Sequence, residues 1–166
     1  MWRALIIEGH HEVSLQHHMH SRQRSGRQGP GFWKKRLASL VDFPPRDKVE
    51  GFILGTALES MKKVEQELEQ QGWEAEVNLD EELCRARFEV FKEGQVEFIY
   101  EIRLRAYAMP DFAFPETERD LDGDDHYYRA EVFLRRGGQA YDVYGYDQPD
   151  IISDILDQFE KYLHFL

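Results

Sequence analysis

Residues 84–90 read CRARFEV, and residues 96–104, beyond a Glu-Gly turn, read VEFIYEIRL. Apolar and charged side chains alternate along both stretches almost without exception. Because successive side chains of a β-strand point to opposite faces, a period of two predicts strands with one buried and one charged face. Half-buried strands of this kind are typical of antiparallel sheets.

Three further stretches show the same alternation. They are residues 73–79 before the quoted pair, and residues 128–134 and 141–143 after it. The pair Gly137-Gly138 is typical of a two-residue hairpin turn between the last two stretches. The sequence therefore predicts about five strands.

An amphipathic helix is predicted on each side of the strands. The first begins at Asp47, whose spacing to Glu50 is that of a capping box, and ends at Gly72. Its apolar positions are Ile53, Ala57, Met61, Val64 and Leu68. The second is capped by Asp147, and its apolar positions are Ile152, Ile155, Leu156, Phe159, Leu163 and Leu166. Both helices on the same face of one antiparallel sheet would bury every apolar side, so we predict an α+β two-layer sandwich.

Size and charge exclude several classes of protein. The chain has 166 residues, 42% of them hydrophobic, and a net charge of −11. A chain of this length can form a packed domain without disulfides. Net negative charge repels phosphate backbones, so we expect no nucleic-acid partner. One cysteine excludes an internal disulfide, and no apolar stretch approaches the ~20 residues that cross a bilayer.

The charge is divided unevenly along the chain. Residues 1–36 carry a net charge of +5, and residues 37–166 carry −16. The stretch 21–31 is polar and Gly-rich, which is typical of a flexible connector. We therefore predict a basic, His-rich N-terminal arm and linker at residues 1–31, followed by the α+β domain at residues 32–166.

Motifs of catalysis and cofactor binding are missing from the sequence. It contains no Gly-x-Ser-x-Gly, no Gly-rich phosphate loop ending in Lys-Ser/Thr and no His-Glu-x-x-His. Cys84 lies on the predicted inward face, which favours a buried core residue over a nucleophile. We therefore expect that the protein is not an enzyme and that it has neither a catalytic residue nor a cofactor.

Two stretches are weak candidates for metal binding. His10, His17 and His20 would lie near one face of a helical arm, but they lack the i, i+4 spacing of a zinc clamp. Residues 120–125 read DLDGDD, yet the glycine comes fourth, whereas an EF-hand needs it sixth. We interpret the first as a solvated linker and the second as an acidic loop, and we expect no metal site.

The loop at residues 107–115, YAMPDFAFP, is rich in aromatic residues and proline. Such a stiff apolar loop can fold back to close a sheet edge or form a docking patch. We favour edge closure and keep docking as the alternative.

Four stretches form a pattern found in a known family. YYRAEVFL at residues 127–134 and DILDQFE at residues 154–160 are the most specific. WRAL at residues 2–5, with Glu8-Gly9, and WKKRL at residues 33–37, with Phe43-Pro44, complete the pattern. Together they resemble the cytoplasmic C-terminal domain of the betaine/carnitine/choline transporter family, in its choline-transporting branch. The resemblance covers nearly the whole chain.

The resemblance implies a non-catalytic regulatory domain that adjusts choline or betaine transport to osmotic conditions at the cytoplasmic face of the bacterial inner membrane. The expected partners are the membrane domain of the same transporter and anionic lipid head groups, with a homo-oligomer also in view. Basic residues near an anionic surface are attracted to it, so the candidate contacts lie in and after the arm. They are Arg22, Arg24, Arg27, Trp33, Lys34, Lys35 and Arg36.

Two other interpretations stay open. The charged sheet face would suit a small-anion-binding or enzymatic α+β domain, through Arg85, Arg87, Arg103 and Arg105. Cross-strand ion pairs account for the same residues. The domain would also suit a plain oligomerisation module.

Overall fold

The computed structural model describes residues 34, 37, 38, 40–110, 125–136 and 140–164. Its helical elements are α1 (Arg46–Phe52), a π-helical segment (Ile53–Ala57), α2 (Leu58–Gln70) and α3 (Gln148–His164). Its strands are β1 (Glu74–Asp80), β2 (Arg85–Lys92), β3 (Gln95–Ala108), β4 (His126–Leu134) and β5 (Tyr141–Asp142). The predicted arm, residues 1–31, lies outside the described residues.

The five strands form one antiparallel sheet in the order β1-β2-β3-β4-β5. Glu93 and Gly94 join β2 to β3 with φ of 53° and 73°, values that suit a tight two-residue hairpin turn. The predicted hairpin at Gly137-Gly138 lies outside the described residues. At the β1 edge, the backbone N–H of Val77 donates to Oε1 of Glu65 on α2 at 2.8 Å, which occupies one exposed donor of the edge strand.

The helices cover one face of the sheet, which we call the inner face. Phe88 on β2 is paired with Tyr100 on β3, and both are buried in one core with Ile53, Met61 and Ile155 from the helices. The opposite face, which we call the outer face, carries the charged side chains of the strands. The predicted α+β two-layer sandwich, with one antiparallel sheet and its helices on one side, is confirmed.

The π-helical segment keeps one side of the first helical run in the core. Val49, Ile53, Ala57 and Met61 are all fully buried, and each lies four residues after the last. On a 3.6-residue helix, positions four apart drift by about 40° per step, or about 120° over three steps. A π-turn contains more residues, and offsets most of that drift. The four-residue spacing in the sequence is thus satisfied by the wider turn between α1 and α2.

Gly72 ends α2 in the left-handed conformation that the sequence predicts, with φ of 83°. Its N–H donates to the carbonyl of Glu69, and the N–H of Trp73 donates to the carbonyl of Leu68, each at 3.0 Å. This pair of bonds is a Schellman motif, and it satisfies two carbonyls that the helix leaves unpaired.

The start of α1 differs from the prediction. The helix begins at Arg46, and Pro45 at the N-cap makes no side-chain cap bond. Glu50, expected to complete a capping box with Asp47, instead accepts from Nε of Arg46 at 2.6 Å. The prediction of a capping box is therefore wrong at this helix, because the Glu50 carboxylate forms an ion pair with Arg46 one turn earlier. At α3 the predicted cap is confirmed: Oδ1 of Asp147 accepts from the N–H of Asp150 at 2.9 Å.

The buried side of α3 is also rotated from the predicted one. Ile151, Ile155 and Phe159 face the core, while Leu156 and Leu163 are 48% and 39% exposed. The prediction missed Ile151 and placed both leucines inside. The reason is a polar residue on the buried side, Asp154, which the stripe of apolar residues did not include.

Asp154 is fully buried and holds the sheet to α3. Its Oδ2 accepts from the hydroxyls of Tyr100 on β3 at 2.5 Å and Tyr141 on β5 at 2.7 Å. Nε2 of Gln158 donates to the Tyr141 hydroxyl at 3.1 Å. A buried carboxylate needs such donors to offset lost hydration, so this network fixes the register of α3 on the strands.

β3 is longer than predicted. Tyr107 and Ala108, assigned by sequence to the aromatic loop, are paired with Tyr127 and His126 of β4. The remaining loop, residues 111–124, lies outside the described residues, so edge closure and docking stay predictions. Among the described residues, no helix has the length and apolar character needed to cross a bilayer.

Two glycines give a matched test of the helix end. Gly72→Ala should lower the free energy of unfolding by about 1 kcal/mol, because alanine is strained at a positive φ. Gly51→Ala, inside α1 with open space around the added Cβ, should raise it by about 0.5–1 kcal/mol through helix propensity. Urea unfolding of both variants measures the two values, and equal effects would contradict the left-handed helix end.

Candidate functional site

Of the seven candidate contact residues, the structure describes Lys34, which is helical and exposed. The other six, Arg22, Arg24, Arg27, Trp33, Lys35 and Arg36, lie outside the described residues. The structure therefore does not test whether this set comes together, and its role stays a prediction. It does show how the chain that follows these residues is attached to the sheet.

Residues 37, 38 and 40–45, which we call the lead-in segment, precede α1 and contact β4. The N–H of Val41 donates to the carbonyl of Leu37 at 3.2 Å, closing one helical turn. Pro44 is buried, and its carbonyl accepts from the N–H of Tyr128 on β4 at 3.0 Å. The ring of Phe43 packs edge-on against Tyr127, with centroids 5.1 Å apart. Backbone and ring contacts thus fix the segment to β4.

Arg129 is the centre of this attachment. Its side chain is only 9% exposed, and Nη1 donates to Oδ2 of Asp142 on β5 at 3.2 Å. Nη2 lies 3.4 Å from the carbonyl oxygen of Leu40, in the lead-in segment. The guanidinium also sits over the Tyr127 ring, 5.1 Å from its centroid. One buried cation therefore connects β4, β5 and the lead-in segment, and we call this group of contacts the junction.

Asp142 completes the junction with backbone contacts. Its Oδ1 accepts from the N–H of Ala130 at 3.2 Å and from the N–H of Tyr144 at 3.0 Å. Burial raises the pKa of Asp142, against the opposing effect of the Tyr144 N–H and the Arg129 charge. β5 has only two residues and so makes few ladder hydrogen bonds with β4. The side-chain bonds of Asp142 add to this attachment.

A second group of charges covers the middle of the outer face. Glu101 on β3 is 1% exposed, and its carboxylate is held by Arg87 at 2.5 Å on one side and by Arg103 on the other. The Arg103 guanidinium stacks over the Phe133 ring at 4.2 Å. Arginine stems and an aromatic ring therefore bury this carboxylate on the face that none of the described helices covers.

These contacts bear on the anion-binding alternative. Arg85, Arg87 and Arg103 all make ion pairs with carboxylates, while Arg105 stacks over Phe133 at 5.7 Å. A shallow cavity of about 200 Å³ lies beside them, lined by Asn78, Leu79, Asp80, Arg85, Arg87 and Glu89. Since acids and arginines are mixed there, no positive potential is concentrated. The structure favours cross-strand ion pairs as the role of Arg85 and Arg87, and an ion pair within β3 as the role of Arg103.

Cys84 is buried, as the sequence predicts, although it precedes β2 with φ of 45° and does not belong to the strand. Burial, helped by Glu50 and opposed by Arg46, raises the pKa of its thiol to about 11. Such a thiol is a poor nucleophile at neutral pH. No group of three or more metal-ligating side chains occurs among the residues the structure describes. The N-terminal histidines and most of the acidic loop lie outside them.

The sequence did not identify Arg129, Asp142 or Leu40 as a site. Arg129 alternates with apolar neighbours like the other arginines of the charged face, so its pattern is that of a surface residue. A signal was present in DVYG at residues 142–145, where an aspartate two residues before an aromatic residue can accept backbone N–H groups in a turn.

Removing the junction cation should destabilise the fold. Arg129→Gln removes the cation that pairs with the buried Asp142, and we expect a loss of about 3 kcal/mol in the free energy of unfolding near neutral pH, measured with urea. Burial already raises the pKa of Asp142, and the loss of Arg129 raises it further. A carboxyl whose pKa is higher in the folded state favours folding at low pH and loses that contribution as pH rises through the folded pKa. The deficit should therefore be smallest at acidic pH.

Arg46→Gln is the matched control for Arg129→Gln. Arg46 pairs with Glu50 at 2.6 Å, but its side chain is 55% exposed. Exposed pairs contribute about 0–1 kcal/mol, so this variant should unfold close to the unsubstituted protein at every pH. A deficit of similar size in both variants would contradict the buried junction.

The Cys84 thiol should react slowly in the folded protein. With a pKa of about 11, about one thiol in a thousand is ionised near pH 8. We expect labelling by Ellman's reagent about a hundredfold slower than in guanidinium chloride, where the thiol is exposed and its pKa is ordinary. Labelling at equal rates in both conditions would show that Cys84 is accessible.

Comparison with known proteins identifies relatives over most of the chain. A glycine betaine transporter of Acinetobacter baylyi is 32% identical over 140 residues, which is 84% of this chain and 21% of that protein. The high-affinity choline transport protein of Escherichia coli K12 is 32% identical over 139 residues, 81% of this chain and 20% of that protein. The osmo-dependent choline transporter BetT2 of A. baylyi is 31% identical over 139 residues.

No family model matches the chain. The chain spans about a fifth of the length of the curated relatives it matches. Identity above 30% over four-fifths of this chain confirms the resemblance seen in the sequence motifs. The chain is therefore a homologue of choline and glycine betaine transporters, consistent with a protein of the betaine/carnitine/choline transporter family, and resembles the part of the choline transporter BetT that it matches.

Proposed function

We propose that this chain is the regulatory domain of a choline- or betaine-type secondary transporter, that it lies at the cytoplasmic face of the bacterial inner membrane, and that it adjusts transport to osmotic conditions without catalysing a reaction. The observation that carries the proposal is the match to choline and glycine betaine transporters along 81–84% of this chain, including one named as osmo-dependent.

The division of charge supports a response to salt. Residues 1–36 carry +5 and residues 37–166 carry −16, so the arm has two competing anionic partners, the lipid surface and the domain itself. Each Lys or Arg near an anionic membrane contributes about 1 kcal/mol. That attraction extends over a Debye length, ~8 Å at physiological ionic strength, and shortens as salt rises. A change of a few kcal/mol is enough to shift a two-state equilibrium.

The junction would transmit a change in the position of the arm to the folded domain. Arg129 and its partner Asp142 are 9% and 22% exposed, and buried pairs are screened much less than exposed ones. Salt would therefore weaken the contacts of the arm and leave the attachment of the lead-in segment intact. The domain would move as a rigid body with the segment that joins it to the arm.

Replacing the basic residues in and directly after the arm should blunt the osmotic response of the intact transporter. The variant carries glutamine at Arg22, Arg24, Arg27, Lys34, Lys35 and Arg36. We expect uptake of radiolabelled choline to lose most of its dependence on external osmolality, because the salt-sensitive attraction is gone. Uptake at fixed osmolality measures whether the membrane part remains active.

A control with the same change in charge uses exposed basic residues of the domain. It carries glutamine at Lys48, Lys62, Lys92, Arg135, Arg136 and Lys161, all exposed. This variant should keep the response. An unchanged response in the arm variant, or an equal loss in the control, would contradict the proposed role of the arm.

A further inference from the structure

The shallow cavity of about 200 Å³ on the outer face lies between β1 and β2, away from the junction. Polar side chains of the two strands meet there in register. The residues directly opposite each other are Glu76 and Glu89, Asn78 and Arg87, and Asp80 and Arg85. All of them except the exposed Glu76 line the cavity.

Glu89 is a buried carboxylate whose described donors are distant. Its side chain is 12% exposed, with Nη1 of Arg87 at 3.5 Å and Nδ2 of Asn78 at 3.3 Å. Both distances are at the far end of the hydrogen-bond range, whereas Nε of Arg87 lies 2.5 Å from the buried Glu101. A carboxylate removed from water needs close donors. A ligand in the cavity can therefore improve the hydrogen bonding of Glu89.

The charges around the cavity are ordered along the strands. Glu76 and Glu89 are directly opposite, where like charges repel, so this end attracts a cation. Arg85 and Arg87 lie two residues apart on the same face of β2, about 7 Å along the strand, so the other end attracts an anion. Arg85 pairs with Asp80 through Nη2 at 3.1 Å, and its guanidinium has further N–H donors for a ligand.

A ligand that carries both charges matches this order better than one that carries a single charge. A simple anion would meet Glu89 and Asp80, and a simple cation would meet the two arginines. No group of three or more metal-ligating side chains occurs in the part of the chain that the structure describes, which disfavours a metal ion. The volume is smaller than that of pockets for drug-sized ligands, so the ligand is a small one.

We propose that this cavity binds a small zwitterion of the size of a free amino acid, with its ammonium group at Glu89 and its carboxylate at Arg85 and Arg87. The ammonium would donate a close, charge-assisted hydrogen bond where Glu89 now has distant donors. Bound in this way, the ligand would connect β1, an edge strand, to β2. The proposal goes beyond the proposed function and does not depend on it.

The test is a titration of the isotope-labelled full chain, followed by nuclear magnetic resonance at constant ionic strength. The probes are glycine, acetate and methylammonium, which carry both charges, the negative charge alone and the positive charge alone. With glycine we expect saturable shifts of the Asn78 side-chain amide and of the Nε resonances of Arg85 and Arg87. Acetate and methylammonium should bind at least about tenfold more weakly, because each lacks one of the two charged contacts. Trimethylglycine, whose nitrogen has no N–H to donate to Glu89, should be weaker to a similar degree.

Two variants each remove one side of the site. Glu89→Gln removes the charge that meets the ammonium group, and Arg85→Gln removes donors to the carboxylate. Each should weaken glycine binding by at least about tenfold. Arg85 is 31% exposed and does not touch Glu101, so Arg85→Gln tests the site even where Glu89→Gln disturbs the fold. Circular dichroism checks that each variant is folded.

Glu59→Gln is the matched control. It removes one member of an exposed ion pair with Lys62 on α2 and changes the net charge by the same amount as Glu89→Gln. Its affinity for glycine should stay within about twofold of that of the unsubstituted chain.

Four results would overturn the inference. They are no saturable shift with glycine, equal binding of acetate or methylammonium, unchanged affinity in Arg85→Gln, and an equal loss of affinity in Glu59→Gln. The titration involves neither transport nor the arm. Its failure would leave the osmotic test unaffected, and failure of the osmotic test would leave this site unaffected.

Discussion

The ion pair between Arg129 and Asp142 is the contact on which three parts of the molecule depend. β5 has two residues and a short ladder, and the Asp142 bonds to Arg129, Ala130 and Tyr144 add to its attachment. The same arginine donates to the Leu40 carbonyl and so connects the lead-in segment to β4. Removal of one partner would leave a buried charge without compensation.

Carboxylates are buried on both faces of the sheet, but by different kinds of neighbouring side chain. On the inner face apolar side chains exclude water, and a buried carboxylate, Asp154, accepts hydrogen bonds from the tyrosine hydroxyls of β3 and β5. On the outer face Glu101 is buried by the arginines beside it and by Phe133. Charge on that face therefore serves cohesion between strands.

The fold followed from periodicity because alternation of apolar and charged residues leaves few ways to bury the strands. The register of α3 did not follow, since Asp154 replaces an apolar residue on its buried side and only the hydroxyls of distant tyrosines make that position acceptable. The contacts of the junction could not be predicted from the sequence either, because Arg129 has the same alternating apolar neighbours as Arg87. Long-range partners, which no local pattern contains, decide which arginine is on the surface and which is buried.

The wide turn at Ile53–Ala57 constrains how this part of the sequence can change in length. Deleting one residue there would restore an ordinary helix and place Met61 eleven residues after Val49, which at about 100° per residue is three turns and about 20°. Met61 and Val64 would therefore stay on the buried side, whereas a second deletion would turn them about 100° away from the core. Natural variants of the domain should therefore tolerate the loss of one residue within this turn far better than the loss of two.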